Sequence, residues 1–289
     1  MITHPFTYQT PATIDEAVQA LGRSREAKVI AGGHSLLPLM KLGLAQPETL
    51  IDLRRIAALR DIRREPDGTI SIGALATHRA IADDPAVRAG LAALAEAAAA
   101  VGDPQVRTRG TIGGSLAHAD PAADEPAPTL AFDATIRAVG PKGRRDIPAP
   151  EFSKGTFETA LGPGEILAEI RFPAQPARTG SAYVKFPHPA SRFAVVGVAA
   201  VVTAKPDGTI ERAAIGVAGA AAKPQRATEA EKAITGTKGD AKAVVAAAAK
   251  AANGMTTLAD LVASSEYRAH LVTVYARRAL ERAIERARA

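Results

Sequence analysis

Short apolar runs that alternate with polar turns predict the strands of this chain. Period-two alternation and β-branched residues are typical of half-buried strands, whereas apolar residues three or four positions apart indicate helices. Turn signals such as Pro-Asp-Gly separate the runs. The strands predicted in this way are residues 6–10, 28–31, 49–53, 69–73, 135–139, 183–186, 195–203 and 209–218.

Helices are predicted where capping residues precede apolar residues at helical spacing. Thr13 and Glu16 form a T-x-x-E capping box, in which each side chain accepts a hydrogen bond from a backbone amide of the first turn. Asp84 and Pro85 supply an N-cap and a first-turn proline, so we expect one continuous helix from there to Val101. Further helices are expected at residues 227–234, 240–253 and 267–288.

A proline-rich segment at residues 172–176 predicts a domain boundary, since proline disfavours both helix interiors and central strands. Beyond it three strands and then three helices follow in separate runs, which is typical of an α+β fold. We therefore expect an N-terminal domain over residues 1–176. A smaller C-terminal α+β domain, with a three-stranded antiparallel sheet and helices, is expected over residues 177–289.

The composition narrows the possible chemistry. The chain has 289 residues, of which 47% are hydrophobic, and it contains no cysteine. Disulfides, thiolate zinc sites, a catalytic thiol and cysteine-bound iron–sulfur clusters are therefore excluded within this chain. The net charge of +6 is scattered among acids rather than clustered, so we do not expect nucleic-acid binding.

The chain shows no sign of membrane insertion or export. No apolar run approaches the roughly 20 residues that span a bilayer. The first ten residues, MITHPFTYQT, lack the basic and apolar regions of a signal peptide. We expect a soluble cytoplasmic protein without a membrane span, unless a partner carries an export signal.

The first candidate site is the segment AGGHSLLPLM, residues 31–40, which follows the second predicted strand. Its glycines allow backbone N–H groups to approach an anion, and a helix starting near Ser35 would add its positive end. The segment matches neither the Walker A nor the G-x-G-x-x-G pattern. A phosphate-binding loop and a tight turn capped by Ser35 both stay open. His34 has no partners at metal-ligand spacing, so we expect no metal site.

The second candidate site is RTRGTIGGSLAHADP, residues 107–121, followed by Asp124. We expect a long irregular loop over residues 109–128, and such loops inside compact domains are often functional. A plain surface loop is the alternative. A diphosphate held from two sides by backbone amides would account for both glycine segments.

Taken together, these segments resemble the FAD-binding medium subunit of molybdenum hydroxylases, the group that includes aerobic carbon monoxide dehydrogenase and xanthine dehydrogenase. The resemblance covers essentially the whole chain. Its carriers are AGGHSLLPLMKL (31–42), IGALATH (72–78), GDPQVRTRGTIGGSLAHADPAADEPA (102–127) and YVKFPHPASRFAVVGVAA (183–200). Many relatives have asparagine at Thr108, leucine at Glu125 and tyrosine at Phe193, so this chain departs from the family pattern there.

The resemblance implies a two-part FAD-binding domain of the vanillyl-alcohol-oxidase (PCMH) type, with subdomains at about residues 1–55 and 56–176. It also implies that two segments wrap the FAD diphosphate. Their members are Val29, Ile30, Ala31, Gly32, Gly33, His34, Ser35, Leu36, Thr111, Ile112, Gly113, Gly114 and Ser115.

Five further cofactor-binding residues are implied. Asp124 should accept hydrogen bonds from ribose or ribityl hydroxyls, and Lys185 should lie near the isoalloxazine ring. Val101 and Leu167 should line the flavin or adenine pocket, and Phe193 should lie close to the flavin. Judged from the residues alone, Leu167 is simply strand core and Lys185 a solvated lysine.

The implied function is electron output from a larger enzyme. A large molybdenum-cofactor subunit and a small 2Fe-2S subunit are the implied partners, in an assembly of two such heterotrimers. Electrons would pass through FAD on this chain to an acceptor such as NAD or a quinone, with no catalytic acid or base on this chain. The alternatives are a self-contained FAD-dependent oxidoreductase with its own substrate pocket and a non-enzymatic nucleotide-binding protein.

We expect the flavin to be bound without a covalent link to His34. In the wider fold some glycine-loop histidines carry FAD covalently, whereas the molybdenum hydroxylases normally do not. Acid precipitation of the flavin-loaded chain should therefore leave a colourless pellet and a yellow supernatant. A yellow pellet would contradict this prediction.

Overall fold

A small parallel sheet opens the fold and carries the first glycine segment. A computed structural model describes residues 3–24 and 26–289. The first elements are β1 (Thr7–Gln9), α1 (Ile14–Gly22), β2 (Ala27–Ile30), α2 (Leu36–Lys41) and β3 (Thr49–Asp52). The strands pair in the order β1–β3–β2. The predicted capping box of α1 is confirmed, with Thr13 and Glu16 each accepting from the other's backbone amide.

The middle of the chain forms a five-stranded antiparallel sheet covered by short helices. After two 3₁₀ turns, Leu53–Arg55 and Ala57–Arg60, its strands are β4 (Ile62–Arg64), β5 (Ile70–Gly73), β6 (Thr135–Gly140), β7 (Gly143–Pro148) and, beyond a hairpin of β8 (Ser153–Gly155) and β9 (Glu158–Thr159), β10 (Ile166–Phe172). The helices are α3 (His78–Asp83), α4 (Pro85–Gly90), α5 (Ala92–Ala100), α6 (Pro104–Arg107), α7 (Ile112–His118), α8 (Pro126–Ala131) and α9 (Ala149–Phe152). The order β4–β5–β10–β6–β7 places β10 at the centre of the sheet.

The expected continuous helix from Asp84 to Val101 is wrong, because the chain leaves helical geometry at Leu91. There φ is −134° and ψ is 50°, and the side chain is buried in the core. The amide of Ala93, the second residue of α5, donates to the hydroxyl of Ser181 at 3.1 Å. This acceptor comes from a distant part of the chain and supports two helices where the local pattern predicts one.

The expected irregular loop over residues 109–128 is also wrong, since it contains α7. A short apolar helix was expected between this loop and the strand at Thr135, and it is confirmed as α8, which begins earlier than expected, at Pro126. The hydroxyl of Thr111 accepts from the amide of Gly114 at 3.1 Å and so caps α7. Pro126 occupies the first turn of α8, where its missing N–H has no consequence. Glycine and proline, which suggested a loop, here mark the starts and close contacts of short helices.

The C-terminal region confirms the expected antiparallel sheet with helices. Its elements are β11 (Thr179–Pro187), β12 (Ala194–Ala204), β13 (Ile210–Ala218), β14 (Gln225–Arg226), α10 (Thr228–Ile234), α11 (Ala241–Ala248) and α12 (Ser265–Arg288). The three predicted strands pair in sequence, and the two-residue strand β14 extends the sheet to four.

Strand β12 lies between two hydrophobic cores. Its sequence AVVGVAAVVTA has no charged residue, and every position is buried. Ala199 and Val201 on one face join the core of the five-stranded sheet and its helices. Val198 and Val202 on the other face join the core under α10, α11 and α12. A strand covered on both faces reads as a nearly continuous apolar run, as this one does.

Helix α12 packs on β11 and β12 of the C-terminal sheet. Leu271, Val272 and Leu280 point into the core, while Arg277 and Glu281 form an exposed ion pair one turn apart. An apolar face towards the core and charged residues towards solvent are typical of an amphipathic surface helix. Over residues 3–24 and 26–289, the helices are too short or too polar to cross a membrane.

Replacement of Phe132 by alanine should destabilise the core of the five-stranded sheet. Its ring is 1% exposed and meets Phe172 edge-to-face with ring centroids 6.1 Å apart. We expect the free energy of unfolding, measured in urea by circular dichroism, to fall by about 3–5 kcal/mol. The control Phe157→Ala removes a ring that is 60% exposed and should cost no more than about 1 kcal/mol. Equal losses in both variants would contradict the assigned core.

Candidate functional site

The first glycine segment forms a turn between β2 and α2 with unusual donor capacity. Gly33 has a φ of +78°, a left-handed conformation that favours glycine. Within the part of the chain that the structure describes, the backbone N–H groups of residues 32–36 donate to no protein acceptor. Ser35 occupies the N-cap position of α2 but its side chain makes no capping hydrogen bond. Five successive amides are therefore available to a ligand.

The second glycine segment is bonded differently. The amides of Ile112 and Gly113 donate to the carbonyls of Ala76 and Ala74, at 3.1 and 2.9 Å. The amides of residues 114 and 115 donate back to Thr111. The start of α7 is thus tied to the segment after β5, and its amides are already used. The group of this segment that can still donate to a ligand is the side-chain hydroxyl of Ser115.

The two segments touch each other. A Cβ on Gly32 would lie 2.2 Å from the carbonyl oxygen of Arg109 and 2.9 Å from the Cα of Gly110, so only glycine fits there. A Cβ on Gly114 would lie 3.9 Å from that of Ala31. The structure therefore brings together two segments that are almost eighty residues apart in the sequence, as a shared ligand would require.

Asp124 and Lys185, predicted separately, meet in a buried polar cluster. Lys185 Nζ donates to Asp124 Oδ2 at 2.9 Å and to the carbonyl of Ala100 at 2.7 Å. The hydroxyl of Tyr183 donates to Asp124 Oδ1 at 2.5 Å. Burial raises the pKa of Asp124, although Lys185 and Tyr183 oppose this rise. Burial and the adjacent carboxylate also raise the pKa of Tyr183, which keeps its hydroxyl a donor.

Tyr183 was missed by the sequence reasoning, although Gly197 offers a signal. A Cβ on Gly197, in the neighbouring strand β12, would lie 2.2 Å from the Tyr183 hydroxyl oxygen. This glycine in the middle of an apolar strand makes room for the hydroxyl that reaches Asp124. A glycine inside a strand often marks such a close approach.

A second buried pair, His78 and Glu125, was also missed. His78 Nδ1 lies 2.5 Å from Glu125 Oε1, and both side chains are buried. Burial alone would lower the pKa of His78, but the charge and hydrogen bond of Glu125 outweigh it, so the pKa is raised. His78 starts α3 after the N-cap Thr77. Glu125 within an apolar alanine- and proline-rich segment was the available signal.

The other predicted residues lie at different depths. Val101 ends α5, and Arg107 Nη1 donates to the carbonyls of Val101 and Gly102, at 2.9 Å each. Leu167 is buried in the core of the five-stranded sheet, on the strand β10. Phe193 is 47% exposed, and its neighbour Ala194 donates from its amide to the carbonyl of Ala122, just before Asp124.

The predicted residues thus form two groups. Residues 29–36 and 111–115 lie together at the contact of the glycine segments, and Asp124 with Lys185 forms the polar cluster behind Val101. Leu167 has a clear packing role, and a contact between it and a cofactor stays a prediction. Among the described residues, no three His, Asp or Glu side chains are grouped as metal ligands.

Comparison with known proteins gives consistent matches along the chain. The family described as "FAD binding domain in molybdopterin dehydrogenase" matches residues 4–175, and "CO dehydrogenase flavoprotein C-terminal domain" matches residues 181–283. The carbon monoxide dehydrogenase medium chain of Hydrogenophaga pseudoflava is 42% identical over 285 residues and covers 98% of both chains. The 6-hydroxypseudooxynicotine dehydrogenase complex subunit alpha of Paenarthrobacter nicotinovorans is 36% identical, over 98% of this chain and 96% of that one.

A solved structure gives the same result. The carbon monoxide dehydrogenase of Hydrogenophaga pseudoflava, in the form that lacks the Mo-pyranopterin moiety, contains a chain that superposes with a TM-score of 0.94 at 43% identity, over 99% of both chains. The chain therefore belongs to the FAD-binding medium subunits of the molybdenum hydroxylases, of the carbon monoxide dehydrogenase and xanthine dehydrogenase type. FAD as the cofactor and oxidoreductase as the class are confirmed.

The residues of the site fit the chemistry of FAD. A diphosphate needs several donors for its oxygens, and the free amides of residues 32–36 are donors of this kind. The bare backbone at Gly32 allows the second segment to close against the first. A buried carboxylate such as Asp124 can accept bonds from sugar hydroxyls, because each oxygen accepts more than one hydrogen bond.

Replacement of Tyr183 by phenylalanine should destabilise the folded chain. It removes the donor to Asp124 Oδ1 without changing the packed ring. We expect the free energy of unfolding to fall by about 1.5–3 kcal/mol, the usual contribution of a hydrogen bond to a charged group. The control Tyr275→Phe removes a hydroxyl that makes no hydrogen bond to the described residues and should change stability by about 0.5 kcal/mol or less. Similar losses in both variants would contradict the assigned role of Tyr183.

Proposed function

We propose that this chain is the electron-output subunit of a molybdenum hydroxylase complex. It receives electrons from 2Fe-2S clusters on a small partner subunit and delivers them through FAD to an external acceptor such as NAD or a quinone. The observation that carries this proposal is the pair of touching glycine segments, one of which presents five free amides. When bound, FAD supplies the ability to exchange electrons singly or in pairs.

The diphosphate site consists of residues 29–36 and 111–115. In this proposal, the amides of Gly32, Gly33 and His34 donate to phosphate oxygens, and the start of α2 adds its positive end. The hydroxyls of Ser35 and Ser115 make no hydrogen bond to the described residues, so they can donate as well. The other named residues of both segments shape the turn around these donors.

The flavin or adenosine side of the site is assigned to Asp124, Lys185, Val101, Leu167 and Phe193. Asp124 accepts from a sugar hydroxyl while it remains held by its two protein donors. Lys185 carries a positive charge that would stabilise negative charge on the reduced cofactor. Phe193 packs against the ring without a hydroxyl of its own. The support is that the first two side chains share one buried cluster, next to the end of α5.

The composition supports the division of labour among subunits. The chain has no cysteine, so cysteine-bound iron–sulfur clusters must be supplied by another polypeptide. The two relatives named above are described as the medium chain of a carbon monoxide dehydrogenase and a subunit of a 6-hydroxypseudooxynicotine dehydrogenase complex. Since their reactions differ while their sequences are both similar to this one, we assign substrate selection to a large molybdenum-cofactor subunit.

Loss of the hydroxyl of Ser35 or Ser115 should weaken FAD binding. Each variant, Ser35→Ala and Ser115→Ala, removes one proposed donor to the cofactor, so the Kd should rise about tenfold or more, as expected for one hydrogen bond to a charged phosphate. Fluorescence titration of FAD into the flavin-free chain measures this. Ser153→Ala, on the remote hairpin strand β8, is the matched control. Unchanged Kd values in both loop variants would disprove the diphosphate site.

The electron-output role is tested by comparing the isolated chain with the complex. The isolated chain should show flavin absorbance and reduce dyes with NADH, but it should not oxidise an organic substrate or carbon monoxide. After co-expression with the large and small partners, substrate should bleach the flavin. Turnover of a substrate by the isolated chain would instead support a self-contained oxidoreductase, and absence of bound flavin would support a nucleotide-binding protein of another kind.

A further inference from the structure

The buried pair of His78 and Glu125 has no part in the contacts proposed above. Its atoms Nδ1 and Oε1 are 2.5 Å apart, and Glu125 is completely buried. The second carboxylate oxygen, Oε2, has no partner among the described residues. Burial of ionisable groups costs free energy that a purely apolar pair would not cost. The contacts of the pair with neighbouring residues indicate what its role is.

The pair lies directly behind the contact between the two glycine segments. The backbone amide of His78 donates to the carbonyl of Gly110 at 3.0 Å. Its ring packs on the same residue, since a Cβ on Gly110 would lie 2.6 Å from His78 Nε2. The preceding residue, Arg109, places its carbonyl against Gly32 of the first segment. A continuous line of contacts thus runs from Glu125 through His78 to the turn that presents the free amides.

We propose that His78 and Glu125 are positioning residues for FAD: as a charged pair they hold Gly110 in place and so keep the first glycine segment aligned for the diphosphate. This inference rests on the proposed diphosphate site. Neither side chain touches the cofactor in this scheme. They act through the backbone of residues 109–110, whose position determines how closely the two segments approach each other.

The charge on His78 gives this role a distinct signature. Glu125 and Asp124 favour the protonated ring, Arg107 disfavours it, and the pKa of His78 is raised above 6.5 in the folded chain. On its own helix, Arg79 and Asp83 pair with each other at the surface. A raised pKa means that the stabilisation is complete below the ordinary histidine pKa and is lost as pH rises through the folded value. FAD affinity should follow the same course.

The test is an FAD titration of the flavin-free, full-length chain at several pH values from about 6 to about 9. For the wild type we expect the Kd to rise about tenfold across this range, the scale of one charge-assisted hydrogen bond. Glu125→Gln keeps the shape and an acceptor for His78 but removes the charge. The Kd of this variant for FAD should be high at all pH values and nearly independent of pH. His78→Gln should behave in the same way.

The controls separate positioning from a general loss of structure. Glu231→Gln neutralises a mostly buried carboxylate that pairs with Arg226 in the C-terminal domain, and it should keep the wild-type pH profile. Ser35→Ala should weaken binding by the same factor at every pH. If neither Ser35→Ala nor Ser115→Ala has an effect, the diphosphate site fails, whatever the result for the pair.

Two results would overturn the inference while leaving the diphosphate site intact. One is a wild-type Kd that does not change between about pH 6 and about pH 9, a measurement that needs no variant. The other is a Glu125→Gln chain that keeps the wild-type slope, which would show that the slope comes from a different group. Circular dichroism at each pH verifies that the variants compared are folded. If a variant is unfolded, the pH dependence of the wild-type Kd alone tests the inference.

Discussion

The carboxylate of Asp124 is held by donors that come from across the chain, and the arrangement of the two halves depends on this interaction. Tyr183 and Lys185, both on β11, donate to its two oxygens at 2.5 and 2.9 Å. All three side chains are buried, so removal of one partner would leave an uncompensated polar group. Strand β11 is thereby fixed against the end of α5, where the carbonyl of Ala100 completes the shell of Lys185.

The surrounding contacts reinforce the same junction. Glu96 on α5 accepts from the amide of Tyr183 and pairs with Arg282 and Arg286 on α12. The two apolar faces of β12 join the cores on either side. The C-terminal sheet consequently lies between two hydrophobic cores and is buried on both faces at β12. The cofactor-binding half takes part of its polar framework from residues that follow it in the sequence.

Local sequence patterns predicted much of this fold, because capping and the spacing of apolar residues act between residues that are close in the sequence. The capping box of Thr13 and Glu16, the strand positions and the C-terminal helices follow from short-range spacing. The break at Leu91 could not be predicted in this way, since the hydroxyl that supports it, on Ser181, is 88 positions from its donor. The helix α7 was missed because its glycines suggested a loop, and the start of α8 was missed because of its prolines, although both residue types also occur at helix starts and close contacts.

In the candidate site, too, the short-range motifs were predictable from the sequence and the long-range contacts were not. Both glycine segments were visible as motifs, and the structure brings them into contact. Sequence reasoning treated them as equivalent sources of backbone donors. Among the described residues, however, five successive amides are free in the first segment, whereas the amides of residues 112–115 in the second already donate to Ala76, Ala74 and Thr111. The bond between His78 and Glu125 joins residues 47 positions apart, and nothing in either local sequence indicates the other.

The free amides of residues 32–36 make the stability of the chain depend on its ligand. Backbone N–H groups that lack protein partners make the turn less favourable in the free chain than in the flavin-loaded one. A ligand that binds only the folded state stabilises it in proportion to the logarithm of its concentration over its Kd. Bound flavin would therefore raise the free energy of unfolding of this chain, and the gain would grow with the concentration of free flavin.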